Sequence, residues 1–580
     1  MKQLRYVSLP VLALLLGLIN CTRTQPGSTA ATGHSTQPAP GHGKELFTTH
    51  CVSCHSLTDD GIGPRLGGIT KLKSEQALLD FIKNPAKAIE SGDLRAVSQF
   101  QKYKLMMPPF DYLDDASLRS IVAYIDKEST ERNLTPLVVE TKDVAKNAAP
   151  ERLIAPVQKS NLKIELEDFV TFPATSPTPP KTRIATMRSH PSANGSLFVS
   201  DQRGIIYRIN QQQIHTFLDI RPLLENYTNV PGLGTGLGSF AFHPDFLENG
   251  LMYITHTEKF AGKPADYEFP DSIKVALQWV LSEWKMNSIQ DTVFQGERRE
   301  LLRINVPGSV HGTQDIGFTP NIPKNDPDYG MLYIGTGDGG STIGKHPELT
   351  HTLRSLLGTI IRIDPRGNNS RNGNYGIPAD NPFVNNSEPG VYKEIWAYGF
   401  RNPHRLAWHQ HKGERILLSA EVGEVNVEEI NHIVKGGDYG WNQREGSFGI
   451  STKNLKQIFP VEDAPNEHFI KPFAQYDHID GNAVSGGYVY EGALKELQDL
   501  YIFGDIVRGR LFYLSLENGL TDPVIRELFI TQNGQLTDLV KMTNTKRVDL
   551  RIVYDEKKKE MFIMTKSDGK LRRISKAYRE

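Results

Sequence analysis

The chain has 580 residues, 38% of them hydrophobic and 23% charged, with 66 Lys and Arg against 67 Asp and Glu for a formal net charge of -1. That length exceeds one ordinary domain, the composition is globular, and the charge balance excludes the basic footprint of a nucleic-acid-binding protein. The 50 Gly and 35 Pro supply turns for a β-rich architecture, while 3 Cys are too few for a disulfide framework.

Lys2 and Arg5 precede an apolar run from Val7 to Ile19 that is too short to span a membrane as an ordinary helix, so residues 1–20 read as a signal peptide. Leu18-Ile19-Asn20-Cys21 is similar to a bacterial lipobox, with Asn20 in place of the usual small residue. The similarity makes Cys21 the lipidated first residue of an exported, membrane-anchored protein; the alternative is a plain signal peptide cut nearby. Residues 21–41, rich in Thr, Ser, Gly, Pro, Ala and Gln, form a flexible tether.

Residues 42–131 read as a small all-α haem domain. Cys51-Val52-Ser53-Cys54-His55 carries two thiols three positions apart and a His directly after them, the pattern for covalent c-type haem attachment with the His as proximal iron ligand. A zinc knuckle is the competing reading, but no further Cys follows in the chain. A thioether ligand is expected downstream, and Met106-Met107-Pro108-Pro109 supplies it: Met107 is the first choice because the prolines stiffen its loop, with Met106 in reserve. A helix is expected to begin at Gly43-Lys44-Glu45-Leu46-Phe47. A second spans Ser74 to Asn84, with Ser74 as N-cap and Ala77, Leu78, Phe81 and Ile82 on one face. A last runs from Asp114 to Lys127 with Leu118, Ile121, Val122 and Ile125 at helical spacing. With both ligands present, the block resembles a class I cytochrome c over its whole length.

Residues 132–158, polar and punctuated by Pro136, Pro150 and Pro156, form a linker. From 159 to 580 the pattern changes to strand, turn, strand. Leu197-Phe198-Val199-Ser200-Asp201 with Gly204-Ile205-Ile206-Tyr207 recurs in degenerate form at 331–335, at 500–505 with Gly509, and at 561–565 with Gly569. Alternating apolar strands joined by Gly turns, with almost no helix, predict a β-propeller; a β-sandwich is the alternative, and the spacing is too irregular for a solenoid.

Several loops here name a family. They include Phe240-Ala241-Phe242-His243-Pro244-Asp245-Phe246, Gly337-Asp338-Gly339-Gly340, Trp396-Ala397-Tyr398-Gly399-Phe400-Arg401-Asn402-Pro403, Gly436-Gly437-Asp438-Tyr439-Gly440-Trp441 and Tyr501-Ile502-Phe503-Gly504-Asp505. In order, over about residues 175 to 578, they resemble the glucose/sorbosone dehydrogenase family of PQQ-dependent aldose dehydrogenases. The resemblance implies a six-bladed propeller that oxidises the anomeric carbon of a sugar, with pyrroloquinoline quinone (PQQ) held over calcium. It maps the general base onto His311 and the quinone-facing pair onto Arg401 and Asn402; a structural loop histidine is the competing reading of His311. It maps calcium-binding carbonyls onto Gly423 and Glu424, and a second calcium site onto Glu429 and Tyr439, an all-oxygen ligation suited to a hard cation.

The chain also departs from the family pattern. Val507 stands where the family has a lysine for the quinone carboxylates, with Arg508 and Arg510 beside it. Lys546 and Arg547 stand near the family's arginines, and Val548 occupies one of those positions. Gly234 replaces a glutamine of the glucose pocket. Two function classes remain: an exported sugar dehydrogenase that passes electrons through its own haem to a downstream redox partner, or a non-catalytic exported binding protein that has lost PQQ. The fused haem favours the first, since a binding module has no use for an electron acceptor.

Overall fold

The computed structural model describes residues 41–579 except 53, 62, 104–106, 140–151, 178–179, 193–194, 343, 452–454, 456 and 462–467. Cys21 and Met106 therefore lie outside the described residues. No helix among the described residues is long and apolar enough to cross a membrane.

Five helices build the N-terminal domain: α1 (His42–His50), α2 (Glu75–Lys83), α3 (Pro85–Glu90), α4 (Leu94–Tyr103) and α5 (Asp115–Glu131). The expected caps are present: Ser74 accepts from Ala77 N and Asp114 from Ser117 N, satisfying amide groups that the helices leave unbonded. Leu118, Ile121, Val122 and Ile125 of α5 pack with Leu46 and Phe47 of α1 in one apolar core. Helix α2 differs from expectation. Leu79 is its fully buried residue, whereas Ala77, Leu78, Phe81 and Ile82 line a large cavity. The periodic apolar stripe of α2 thus faces a ligand space, which periodicity cannot distinguish from a core.

The rest is mainly β and propeller-like. Four-stranded antiparallel sheets lead with Ile184–Ser189, Leu237–Phe242, Thr313–Phe318 and Pro403–His411. A nine-stranded sheet contains Tyr488–Val489 through Arg526–Gln532, joined in parallel to Leu162–Thr171 and thence to Lys570–Arg579, Glu560–Thr565 and Leu550–Asp555. The strand that opens the domain therefore pairs with the strand that ends it, Ile164 opposite Ala577. The leading strands pack on one another in a closed cycle: 184–189 on 237–242, then 313–318, 403–411, 488–489, 550–555 and back to 184–189.

Each neighbouring pair of sheets buries its own apolar layer, such as Phe198 and Phe217 with Phe240 and Met252, or Tyr333 and Ile360 with Leu406 and Leu417. That pairing explains the alternation seen in the sequence, because each strand presents one face to each neighbour. The repeated turn glycines Gly204, Gly509 and Gly569 all have positive φ (105°, 71° and 71°), a conformation that other residues adopt at a cost.

Candidate functional site

The first site lies in the helical domain. Cys51, Cys54, His55 and Met107 line one cavity of about 840 Å³, together with the α2 stripe. His55 Nδ1 donates to the Pro64 carbonyl at 2.7 Å, which leaves Nε2 for iron. Gly63 is required beside it, because a Cβ there would lie 2.5 Å from His55 Cε1. Two thiols, an oriented imidazole and a thioether around a mainly apolar space fit a covalent haem. Burial first, then the neighbouring Cys54, raises the Cys51 thiol to about 12.

That cavity is also walled by Leu233, Asn482, Val507 and Arg547 of the β domain. Lys546 Nζ stands 3.7 Å from Asp111 of the haem domain, and Arg547 pairs with Asp549 at 3.0 Å. Burial, then Arg547 and Arg203, hold His50 down at about 4, so it is neutral at this junction near pH 7. Two of the cations expected near the quinone carboxylates therefore border the haem domain. Arg508 is committed elsewhere, donating to Asn482 Oδ1 and to the carbonyls of Ile479 and His478.

The second site is at the loop ends of the central strands. His311, at φ 53°, places Nδ1 2.6 Å from Asp338 Oδ1. Burial would raise the Asp338 carboxyl, but His311 and then Arg401 overcome it and hold the group at about 2. An ionised Asp338 keeps the proton on His311 Nδ1 and leaves Nε2 as the proton acceptor. Asp338 N donates to the Arg401 carbonyl and Gly340 N to Asp338 Oδ1, so the Gly-Asp-Gly-Gly loop ties His311 to Arg401. Sequence reasoning singled out that loop as a motif without assigning Asp338 to His311; the Gly-flanked acid was the available signal.

Arg401 is buried and donates through Nε and Nη2 to Glu424 Oε2, at 2.8 and 2.6 Å, and through Nη1 to the Val422 carbonyl. Glu421 Oε1 accepts from the amides of Arg401 and Asn402. The structure thus brings His311, Arg401 and Asn402 together through Asp338 and Glu421. Around them, Asn402 Oδ1, Asp338 Oδ2 and Glu421 Oε2 are buried with no hydrogen-bond partner among the described residues. Burial, then Glu429, pushes Glu421 up. Orphaned oxygens at this density suit a bound cation or a ligand donor, and Glu421 lies just before Gly423 and Glu424. Among the described residues no three His, Cys, Asp or Glu side chains are grouped as a metal site.

The other expected calcium oxygens are the Glu429 carboxylate and the Tyr439 carbonyl, two acceptors that a shared cation would join. Glu429 accepts from Gly446 N and Asn431 Nδ2, and burial raises it to about 7. The Tyr439 hydroxyl donates to the His432 carbonyl, and its ring stacks on Phe400 at 4.5 Å.

Gly234 has a steric explanation. A Cβ there would lie 2.7 Å from His311 N, so the glutamine of the glucose pocket cannot stand at this position in this backbone. The adjacent Leu233 lines the haem cavity. One loop therefore touches the haem space on one side and His311 on the other.

The profile of the Glucose / Sorbosone dehydrogenase family matches residues 186–573. The chain belongs to that family. A Cytochrome c profile matches residues 41–129, so the family's domain is here preceded by a cytochrome c domain. Among its relatives are the HIPL1 protein of Arabidopsis thaliana, 28% identical over 401 residues (60% of this chain, 53% of that one). Quinoprotein glucose dehydrogenase B of Acinetobacter calcoaceticus is 32% identical over 247 residues (41% of this chain, 46% of that one). The chain thus spans about half the length of these curated relatives. Among solved structures, the PQQ-bound aldose sugar dehydrogenase of Streptomyces coelicolor aligns with 73% of this chain and 100% of its own, at 18% identity and a TM-score of 0.47.

Proposed function

We propose that this chain is an exported, PQQ-dependent sugar dehydrogenase that oxidises an aldose at the anomeric carbon and passes the electrons through its own haem c. In this reading the sheets form six blades, and Cys21 anchors the protein to a membrane outside the cytoplasm, where c-type haem is attached. The observation that carries it is the Leu233-Gly234 loop: Leu233 walls the haem cavity and Gly234 lies against the His311 backbone. A chain that only bound a glycan would have no reason to abut a haem on a base-bearing loop.

When bound, the quinone supplies two-electron oxidation and the haem iron one-electron acceptance. His311 Nε2 takes the proton of the anomeric hydroxyl, while Asp338 holds Nδ1–H and stabilises the imidazolium that forms. Arg401 presents a cation whose charge is balanced by Glu424, and Asn402 offers the orphaned Oδ1 to orient a ligand. The backbone carbonyls of Gly423 and Glu424, with Glu421 Oε2, are the oxygens proposed for calcium.

The test is to load the full chain with PQQ and calcium, offer a panel of aldoses and follow haem reduction. Wild type should reduce its haem, and His311→Gln should do so on the order of a hundred- to ten-thousand-fold more slowly. No reduction with any sugar would replace the enzyme with the binding-protein reading. Reduction by His311→Gln at the wild-type rate would return His311 to a structural role.

A further inference from the structure

The β domain buries three basic side chains that make no ion pair among the described residues. Arg183, Arg551 and Lys566 are 7%, 7% and 6% exposed, yet among the described residues none lies within ion-pair distance of an acid. The Arg183 guanidinium donates to the carbonyls of Asn229, Leu233 and Thr235. Lys566 donates to Gln202 Oε1 at 2.6 Å, and Gln202 Nε2 donates in turn to the Leu233 carbonyl that Arg183 shares. Arg551 donates through Nη1 to its neighbour's carbonyl at Leu550, and its Nε and Nη2 have no partner among the described residues.

The nearby acids are already spent. Asp549 is paired with Arg547, Asp201 with backbone amides and Thr175, and Asp315 with Arg188 and Arg405. Burial, followed by repulsion from Arg405, pulls the Arg551 guanidinium down to about 9. Burial, followed by Arg203, pulls Arg183 down to about 10, and burial with Arg551 lowers the Lys566 ammonium. A guanidinium does not give up its proton, so Arg183 and Arg551 stay charged although buried outside any ion pair among the described residues. Three such groups on adjoining strand ends are costly to bury unless an anion joins them.

We propose that Arg183, Arg551 and Lys566 form the anion clamp of this protein, taking a ligand that carries several carboxylates in place of the positions lost at Val507 and Val548. Naming PQQ as that ligand rests on the proposed function; the polycarboxylate site itself does not. The three groups lie on the ends of the first and last sheets of the cycle, next to the Leu233 loop that runs to His311. A bound haem would bring two further carboxylates, its propionates. None of the three residues lines the haem cavity, which favours a separate, diffusible ligand.

The experiment uses the haem-loaded full chain, with equilibrium binding and thermal unfolding of wild type, Arg551→Met and Lys566→Met. The probes are PQQ with calcium and, separately, citrate. Wild type should bind PQQ and gain thermal stability from it. Each variant should bind roughly 10- to 100-fold more weakly, as expected for loss of one charge-assisted hydrogen-bonding partner. Ligand-free variants should melt no lower than wild type, because an unpaired buried charge has been removed. Equal PQQ binding by wild type and variants would overturn the clamp and leave the proposed function standing. Citrate binding lost in the variants, without PQQ binding to wild type, would sustain the clamp and overturn the quinone reading. Binding of neither probe would overturn the clamp. So would a haem midpoint that moves in Arg551→Met while PQQ binding does not, since the cations would then serve the propionates.

Discussion

Replacing Asp338 by Asn removes one charge and keeps the side-chain volume. Asp338 is held at about 2 against an ordinary 3.8, which corresponds to about 2 kcal/mol of preference for the ionised form in the folded protein. The larger share of that preference comes from His311, whose Nδ1 is 2.6 Å away. If the ring gains its second proton as the sugar is oxidised, losing about 2 kcal/mol there slows turnover about 30-fold. The assay is stopped-flow haem reduction at saturating sugar, on protein loaded with PQQ and calcium, with the haem spectrum as the check on folding. The stability signature has a definite sign. A folded value below the unfolded one stabilises the protein above pH ~4, and that contribution is lost as pH falls through about 2. Asp338→Asn should therefore be less stable than wild type by about 2 kcal/mol at pH 7, with the gap closing toward pH 2. Turnover within threefold of wild type, or a stability gap that widens on acidification, would refute the coupling of Asp338 to His311.

Two further outcomes concern the haem. Met107→Ala should abolish the weak sulfur-to-iron absorption band and lower the midpoint potential, because the thioether favours ferrous iron; survival of the band would move the ligand to Met106. Gly63→Ala places a methyl 2.5 Å from His55 Cε1 and should displace the proximal ring, giving a high-spin or haem-depleted protein by absorption spectroscopy. An unchanged low-spin spectrum would show that Gly63 is not required beside the ring.

Much of this protein was legible in its sequence, for local reasons. Cys51, Cys54 and His55 must be adjacent in the chain to meet one haem, and Ser74 and Asp114 cap helices that begin one residue later. The Gly turns at 204, 509 and 569 announce repeated hairpins because their backbone conformation is nearly private to Gly. The mainly β class and the cytochrome c fusion followed from such signals. What only the tertiary structure decided joins residues far apart in the chain. The α2 stripe lines a cavity at the edge of the core, which depends on what α3, α4 and the Met107 loop leave open. Asp338 serves His311 from 27 positions away. Gly234 replaces a glutamine because His311 N already occupies the space beside it. Arg183, 368 positions before Arg551, meets Arg551 and Lys566 because the ends of the β domain close its ring of sheets. Their shared lack of a counter-charge is a property of the burial around them, and no window of the sequence contains it.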